Sequence, residues 1–352
     1  MQRSPVLSRR TLLTAGAALA LAGCTRAPQR LAAQATASAE PVPSPGKVRA
    51  LTLTARPRQV DLGGQVVSTW AYGDTIPGAP IRVTAGDRVQ VSFGNELPEP
   101  TTVHWHGLAL PNTMDGVPGV TMAPVATGGT FAYDFTVPDP GTHWFHPHAG
   151  LHLDRGLYAP FIIEDPNEPG DYDHEWVLVL DDWLDGLDGT PEQAFADLVA
   201  AGGQATSSDP MGGIGAMGAM MAHDDAGDVT YPLHLINGRP SNDPDVLTGK
   251  PGQRVRLRII NAAADTIYTV ALAEHDLTIT HSDGYPVSPV TTPALRIGMG
   301  ERYDATVTLG DGGFPLVAAP AGGTGLARAI LRTGQGPCPR GPTGPQDWTV
   351  PR

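Results

Sequence analysis

The sequence has 352 residues, of which 43 are Gly and 35 are Pro, and only 17% are charged. This length suits about two domains of ordinary size, and the composition favours many short strands joined by turns over long charged helices. The formal net charge of −13 argues against nucleic acid as a partner, because binding to a phosphate backbone depends on Lys and Arg. An acidic surface favours cations instead, metal ions included.

The first 24 residues have the pattern of an export signal. Residues 8–13 (SRRTLL) resemble the twin-arginine motif, and the apolar run 15–21 that follows is too short to span a bilayer. Residues 21–24 (LAGC) resemble a lipobox, in which Cys24 would be lipidated; the alternative is an ordinary secretory peptide with a chance Cys. Both alternatives predict a mature protein outside the cytoplasm, in the cell envelope. In the first, the lipid on Cys24 would be its only contact with the membrane.

Strand patterns begin after a linker. Residues 25–48 are rich in Ala, Pro, Ser and Gln, which is typical of a flexible tether. Residues 82–84 and 88–93 then alternate apolar and polar side chains between turn residues, which indicates β-strands.

An internal repeat predicts two similar β-domains in tandem. Residues 86–95 (GDRVQVSFGN) match 252–261 (GQRVRLRIIN) position for position. Residues 133–137 (YDFTV) match 303–307 (YDATV) in the same order. Chance similarity between strands could imitate one such match, but two matches in the same order argue for duplication.

The predicted domains span residues 49–165 and 173–333, with the join where Pro and Gly interrupt the strand pattern. Within the second we expect an insertion over about residues 182–228 that starts with a short helix near 191–201. The strand pattern ends after residue 333, and we expect an irregular tail over residues 334–352.

Two paired-histidine motifs indicate a metal site. In a strand, residues i and i+2 face the same side, so His104 projects with His106, and His146 with His148. If the two pairs lie on neighbouring strands, four imidazoles converge on one small volume, as copper, zinc or non-haem iron would require. One such pair is weak evidence, whereas two pairs with aromatic neighbours are much stronger.

The surroundings of these motifs resemble the first cupredoxin domain of multicopper oxidases. The resemblance is carried by residues 102–108 (TVHWHGL), 114–119 (MDGVPG), 141–148 (GTHWFHPH) and 154–163 (DRGLYAPFII). It covers about residues 50–165 closely and 173–333 more loosely. It implies an all-β chain of two tandem cupredoxin-like domains, each a Greek-key β-sandwich or barrel.

The resemblance also implies roles for the histidines. His104 would bind the type 2 copper, and His106, His146 and His148 would bind the coupled type 3 pair. Asp115 matches an acid that helps to deliver protons as dioxygen is reduced to water; the alternative is a turn residue before a glycine. His143 and His152 match no ligand position, and we expect them to support the ligands or to lie at the surface.

The second domain is expected to bind no copper. Residues 314–317 (FPLV) stand where its second histidine pair would fall, and His234, His275 and His281 are isolated, which indicates structural roles. The family's type 1 copper ligands come from C-terminal His-x-x-His-x-His and His-Cys-His runs; neither run occurs after the first predicted domain, and Cys338 lies between two prolines. We therefore predict a partial copper set in an inactive fragment whose third domain has been cut off.

The implied function is a copper-dependent oxidoreductase that couples one-electron oxidation of a substrate to the reduction of dioxygen. A Gly/Ala/Met stretch carries Met211, Met217, Met220 and Met221, whose thioethers prefer Cu(I). Copper-tolerance oxidases carry Met-rich insertions there, so Cu(I) is one candidate substrate and phenols are the other; alternatively the stretch is only a flexible loop. A non-catalytic cupredoxin-like envelope protein and a copper-binding module stay open as alternative functions.

Overall fold

The computed structural model describes residues 46–168, 170–205 and 227–334. The predicted signal, most of the linker, the four methionines of the Met-rich stretch and most of the tail lie outside the described residues, as do both cysteines. None of the described helices is long and apolar enough to cross a membrane.

Residues 48–164 form a first β-sandwich. Its strands follow the alternation of apolar and polar residues, which places one set of side chains in the core. In the fourth strand Val89, Val91 and Phe93 are buried while the residues between them are more exposed, as in a sheet with one face on a core. Its strands are β1 (Val48–Asp61), β2 (Val66–Tyr72), β3 (Ile81–Thr84), β4 (Arg88–Asn95), β5 (His104–His106), β6 (Thr130–Thr136), β7 (Gly141–His146) and β8 (Ala159–Glu164).

These strands form two four-stranded sheets that enclose one apolar core. The sheet orders are β2-β1-β4-β6 and β3-β8-β7-β5. Trp105 and Phe145 from one sheet and Tyr133 and Phe135 from the other meet in this core. Short 3-10 turns at Asn112–Met114 and Leu153–Arg155 lie in the loops around it.

Residues 174–332 form a second, larger β-sandwich. Its two sheets have the orders β11-β10-β9-β13-β18-β15-β16 and β12-β20-β19-β14-β17. Its strands are β9 (His174–Trp183), β10 (Leu233–Ile236), β11 (Arg239–Pro240), β12 (Asp245–Thr248), β13 (Arg254–Asn261), β14 (Tyr268–Leu272), β15 (Leu277–Ser282), β16 (Tyr285–Thr292), β17 (Leu295–Ile297), β18 (Arg302–Thr308), β19 (Gly313–Pro320) and β20 (Ala327–Arg332).

The α-helix between β9 and β10 begins at Pro191. This helix, α1 (Pro191–Ala205), has proline at its first position, where the missing N–H is not needed. The hydroxyl of Thr190 accepts a hydrogen bond from the backbone N–H of Gln193 at 3.3 Å, which caps the helix. The short helix expected near residues 191–201 is therefore present and extends to Ala205.

The internal repeat corresponds to equivalent strands. β4 and β13 each run parallel to the first strand of their sandwich and antiparallel to β6 and β18 respectively. Asn95 and Asn261, the last residues of the repeated segments, make the same contacts. Each accepts a hydrogen bond from the backbone N–H two residues later and donates from Nδ2 to two backbone carbonyls.

The expectation of an all-β chain is confirmed by these elements. The predicted domain bounds, 49–165 and 173–333, remain predictions. The two sandwiches also share a third apolar cluster, in which Trp144 and Tyr158 pack with Trp183 and Leu235. This contact explains why every residue of β7 is buried: Phe145 belongs to the first core and Trp144 to the shared cluster.

Candidate metal centre

The two histidine motifs lie on neighbouring strands. β5 and β7 pair antiparallel, with His104 opposite His146 and His106 opposite Trp144. Because Trp105 and Phe145 point into the core of the first sandwich, alternation turns His104, His106 and His146 to the other face of the same sheet. The strand pairing therefore gathers imidazoles on one face, as the sequence predicts.

His148 departs from the expected arrangement. β7 ends at His146, so the second histidine pair does not lie wholly within a strand. Pro147 has no N–H to offer a neighbouring strand, which accounts for the end of the pairing. His148 nevertheless reaches the other rings from the following segment, with ring centroids 4.6 Å from His104 and 5.0 Å from His146.

The four imidazoles are mutual neighbours. Ligand atoms of His104, His146 and His148 all lie within 4.8 Å of one another. Nδ1 of His106 lies 3.1 Å from Nε2 of His146. Among the described residues, His104, His146 and His148 form the one group with the spacing of a metal site.

Backbone contacts and an aromatic ring set the orientation of these side chains. Nδ1 of His104 lies 2.8 Å from the backbone carbonyl oxygen of Asp115, which leaves Nε2 for a ligand. The ring of Trp144 stacks on His146 at 4.2 Å between centroids and lies 4.8 Å from that of His106. The Asp115 carbonyl therefore orients His104, and the Trp144 ring orients His106 and His146, before any metal binds.

Asp115 lies beside the cluster. It directly follows the 3-10 turn Asn112–Met114, and its carboxylate Oδ1 is 3.4 Å from Nδ1 of His104. Its backbone carbonyl holds the His104 ring, which is a structural role. The geometry is compatible both with the turn role and with an acid close to the metal site.

Burial keeps the imidazoles of His106, His146 and His148 neutral. Desolvation, with the Arg302 cation as the second cause, lowers the pKa of His106 to about 3. Desolvation also lowers the pKa of His148, and that of His146, which is only 7% exposed, falls well below its usual value. Metal ions bind the neutral form of imidazole, so these side chains are available as ligands at neutral pH.

His143 and His152 are both buried, so the surface role considered for them is wrong. Nδ1 of His152 lies 3.0 Å from the hydroxyl of Thr101, and its Nε2 lies 3.3 Å from a carboxylate oxygen of Glu99. These contacts join two loops of the first sandwich. His143 lies beside the Arg302 guanidinium, which with burial lowers its pKa to about 4.

The isolated histidines of the second sandwich have structural contacts. Nδ1 of His234 lies 2.7 Å from the Tyr268 hydroxyl. Nε2 of His275 accepts a hydrogen bond from the backbone N–H of Gly310 at 2.9 Å, and Nδ1 of His281 lies 3.0 Å from the Thr280 hydroxyl. The strand that matches β7 by its pairing is β19, which contains residues 314–317 and no histidine.

Sequence reasoning missed two features of the site. Trp144 was noted only as an aromatic neighbour, although its ring packs on His106 and His146. The turn between β17 and β18 also contacts His106: a Cβ built on Gly300 would lie 3.0 Å from its Cε1 atom. No local sequence pattern connects residues 194 positions apart, so only the tertiary structure reveals this contact.

Comparisons with known proteins agree with this geometry. Residues 54–168 and 215–336 each match a family model described as multicopper oxidase. The multicopper oxidase MmcO of Mycobacterium tuberculosis is 49% identical over 342 residues, which cover 94% of this chain and 67% of that protein. Copper resistance protein A of Escherichia coli is 32% identical, over 81% of this chain and 50% of that protein.

Solved structures share the fold. The laccase from Botrytis aclada superposes with a TM-score of 0.70 at 27% identity, over 88% of this chain and 56% of that one. A multi-copper oxidase from Pseudomonas thermotolerans gives a TM-score of 0.65 at 30% identity, over 85% of this chain and 68% of that one. The cupredoxin-like fold expected from the sequence is therefore confirmed.

Proposed function

We propose, from the premise that this chain belongs to the multicopper oxidase family, that His104, His106, His146 and His148 bind copper at the site of dioxygen reduction. The family is one of copper-dependent oxidoreductases. The observation that carries the proposal is the convergence of four imidazoles from β5, β7 and the segment after β7. This chain spans between about half and two thirds of its curated relatives, so the complete oxidase reaction is part of the proposal.

The donor set fits copper. All four donors are imidazoles, a ligand type that suits copper. Nδ1 of His106 and Nε2 of His146 lie 3.1 Å apart and share a hydrogen bond in the metal-free chain, so the two nitrogens lie in the same small volume. The fixed ring of His104 presents its remaining nitrogen to the same volume, so the ligands need little rearrangement.

Position in the motifs suggests how the ligands divide. His104 would hold the type 2 copper, and His106, His146 and His148 would hold the type 3 pair. Copper bound here would accept electrons taken from the oxidised substrate and pass them to dioxygen, which would be reduced to water. Trp144 covers two of the ligand rings on one side. Asp115, whose carboxylate lies 3.4 Å from Nδ1 of His104, would help to deliver protons to dioxygen.

The test is the copper affinity of the full chain after single substitutions. His146 is the central ligand, so His146→Gln is expected to weaken Cu²⁺ binding by on the order of 100-fold, more than the loss of a supporting residue would. His275→Gln, which removes a histidine from the second sandwich, serves as the matched control and is expected to leave the affinity unchanged. Equal affinity in the two variants would exclude this site.

Cuprous ion is the substrate class that we favour. Two observations support it: a curated relative is a copper resistance protein, and the sequence carries Met211, Met217, Met220 and Met221, whose thioethers suit Cu(I). Replacing the four with Leu is expected to weaken Cu(I) binding at least tenfold, on the scale of a lost supporting residue, as measured by competition with a chromophoric chelator. An unchanged affinity would leave phenols as the candidate substrate.

The non-catalytic alternative has less support. A protein that kept only the fold would need none of these imidazoles. Here four are retained, three of them with ligand atoms within 4.8 Å of one another, which favours a copper enzyme.

A further inference from the structure

The turn between β17 and β18 belongs to the second sandwich, yet it touches a proposed copper ligand of the first. Gly300, in this turn, has a φ of +78°, a conformation that residues with a side chain rarely adopt. A Cβ built on Gly300 would lie 3.0 Å from Cε1 and 3.5 Å from Nε2 of His106. The backbone of this turn therefore packs directly on the Cε1–Nε2 edge of the His106 ring.

Arg302 holds the turn in this place. Its side chain is buried and donates hydrogen bonds from Nη1 to the Gly300 carbonyl and to the Asp283 carboxylate, both at 3.1 Å. Nη2 donates to the backbone carbonyl of Asp283 at 3.0 Å. The fork geometry of a guanidinium allows these contacts at once, so the turn between β17 and β18 is tied to the turn between β15 and β16.

The same guanidinium reaches the strand that carries His146. Nε of Arg302 donates to the backbone carbonyl of Thr142, in β7, at 3.1 Å. Two residues further along β18, Asp304 accepts a hydrogen bond from the Thr142 hydroxyl at 2.6 Å. Arg258 of β13 donates to that hydroxyl at 2.9 Å. These buried polar contacts fix β18 against β7.

We infer that the second sandwich positions the ligand set of the first, with Arg302 as the positioning residue and the Gly300 backbone as the surface that holds His106. His106 then lies between the Trp144 ring of its own sandwich and this turn. The inference rests on the proposed function, since the side chain that is positioned is a proposed copper ligand. It gives the second sandwich, which is expected to bind no copper, a direct part in the proposed metal site.

The experiment compares two glycine variants of the full chain. Gly300→Ala places a methyl group against His106, whereas Gly252→Ala is a matched control: its φ is +81°, and a Cβ there would meet nothing within 4 Å. Both variants carry the same backbone strain. We expect Gly300→Ala to weaken Cu²⁺ affinity about tenfold, the scale reported for residues that support metal ligands, and Gly252→Ala to change it less than twofold.

A metal-free measurement separates this inference from the proposed function. The NMR resonance of the His106 Cε1 proton, assigned by its absence in His106→Gln, is expected to shift in Gly300→Ala and to stay in place in Gly252→Ala. Equal Cu²⁺ affinities of the two glycine variants together with an unmoved resonance would overturn the inference. A shifted resonance in a chain that binds no copper would support the positioning and contradict the proposed function.

Arg302 is tested by a conservative variant. Arg302→Lys keeps the positive charge but loses the guanidinium fork, so we expect the His106 resonance to move and Cu²⁺ affinity to fall several-fold. Arg254, on a neighbouring strand and more exposed, gives the control Arg254→Lys, for which no such change is expected. If only the thermal stability fell in Arg302→Lys, Arg302 would be a structural residue and the inference would fail.

Discussion

At the scale of single residues, the site depends on side chains kept neutral and oriented before metal binds. His104 is oriented by a backbone carbonyl, and His106 and His146 by the Trp144 ring. Burial lowers the pKa of His106 to about 3, so protons do not compete for this ligand near neutral pH. Preformed ligands of this kind need little reorganisation on binding.

The buried His143 predicts a pH dependence of stability. Its pKa in the folded protein is about 4, below the ordinary value of about 6.5. Between these values the unfolded chain binds a proton that the folded chain does not, so the free energy of unfolding falls as pH falls from about 6.5 toward about 4. One pKa unit corresponds to about 1.4 kcal/mol, so the full loss between these two values is about 3.5 kcal/mol.

Urea denaturation of the metal-free chain at several pH values measures this loss. In His143→Gln the free energy of unfolding is expected to fall less between about pH 6.5 and about pH 4, by the loss assigned to His143, because Gln does not titrate. His174→Gln is the control, since His174 is exposed at the start of β9 and its removal is expected to leave the slope unchanged. Parallel curves for the wild type and His143→Gln would contradict the prediction.

The ligand candidates could be predicted from the sequence, whereas their surroundings could not. The i, i+2 spacing is enough to place His104 and His106 on one face. The stacking of Trp144 on His146 follows from neither spacing nor composition, because it depends on how two strands pair. Arg302 was part of no recognised motif, although it directly precedes the repeated YDATV segment.

At the scale of elements, the repeat predicted equivalent strands but not their register. β4 pairs with β6 so that Arg88 lies opposite Thr136, whereas β13 pairs with β18 so that Arg254 lies opposite Thr308. Relative to the aligned repeats, the second pairing is displaced by two residues. A displacement of two keeps each side chain on its face, so the hydrophobic pattern is the same in both and cannot distinguish them.

The end of β7 shows how one residue can alter an element. The paired-histidine pattern predicted a strand through His148, but the strand ends at His146. Pro147 interrupts the pairing because it lacks an N–H. The interruption frees His148 to approach His104 to 4.6 Å between ring centroids, closer than the in-strand neighbour His106 at 5.8 Å.

At the scale of the whole molecule, our proposals assign the copper ligands to the first sandwich and a supporting role to the second. They share an apolar cluster around Trp144 and Trp183 and a buried polar contact between Thr142 and Asp304. The formal net charge of −13 favours the approach of metal cations over anionic partners. The division explains how a sandwich whose His234, His275 and His281 make structural contacts can still influence the proposed metal site.

The most direct test of the account is where copper binds in the full chain. Crystals soaked in Cu²⁺ and measured at the copper absorption edge would locate the metal by its anomalous signal. We predict anomalous peaks in the space between His104, His106, His146 and His148, and their loss in His146→Gln. The account would be contradicted if copper occupied other sites fully and gave no anomalous peak beside these four side chains.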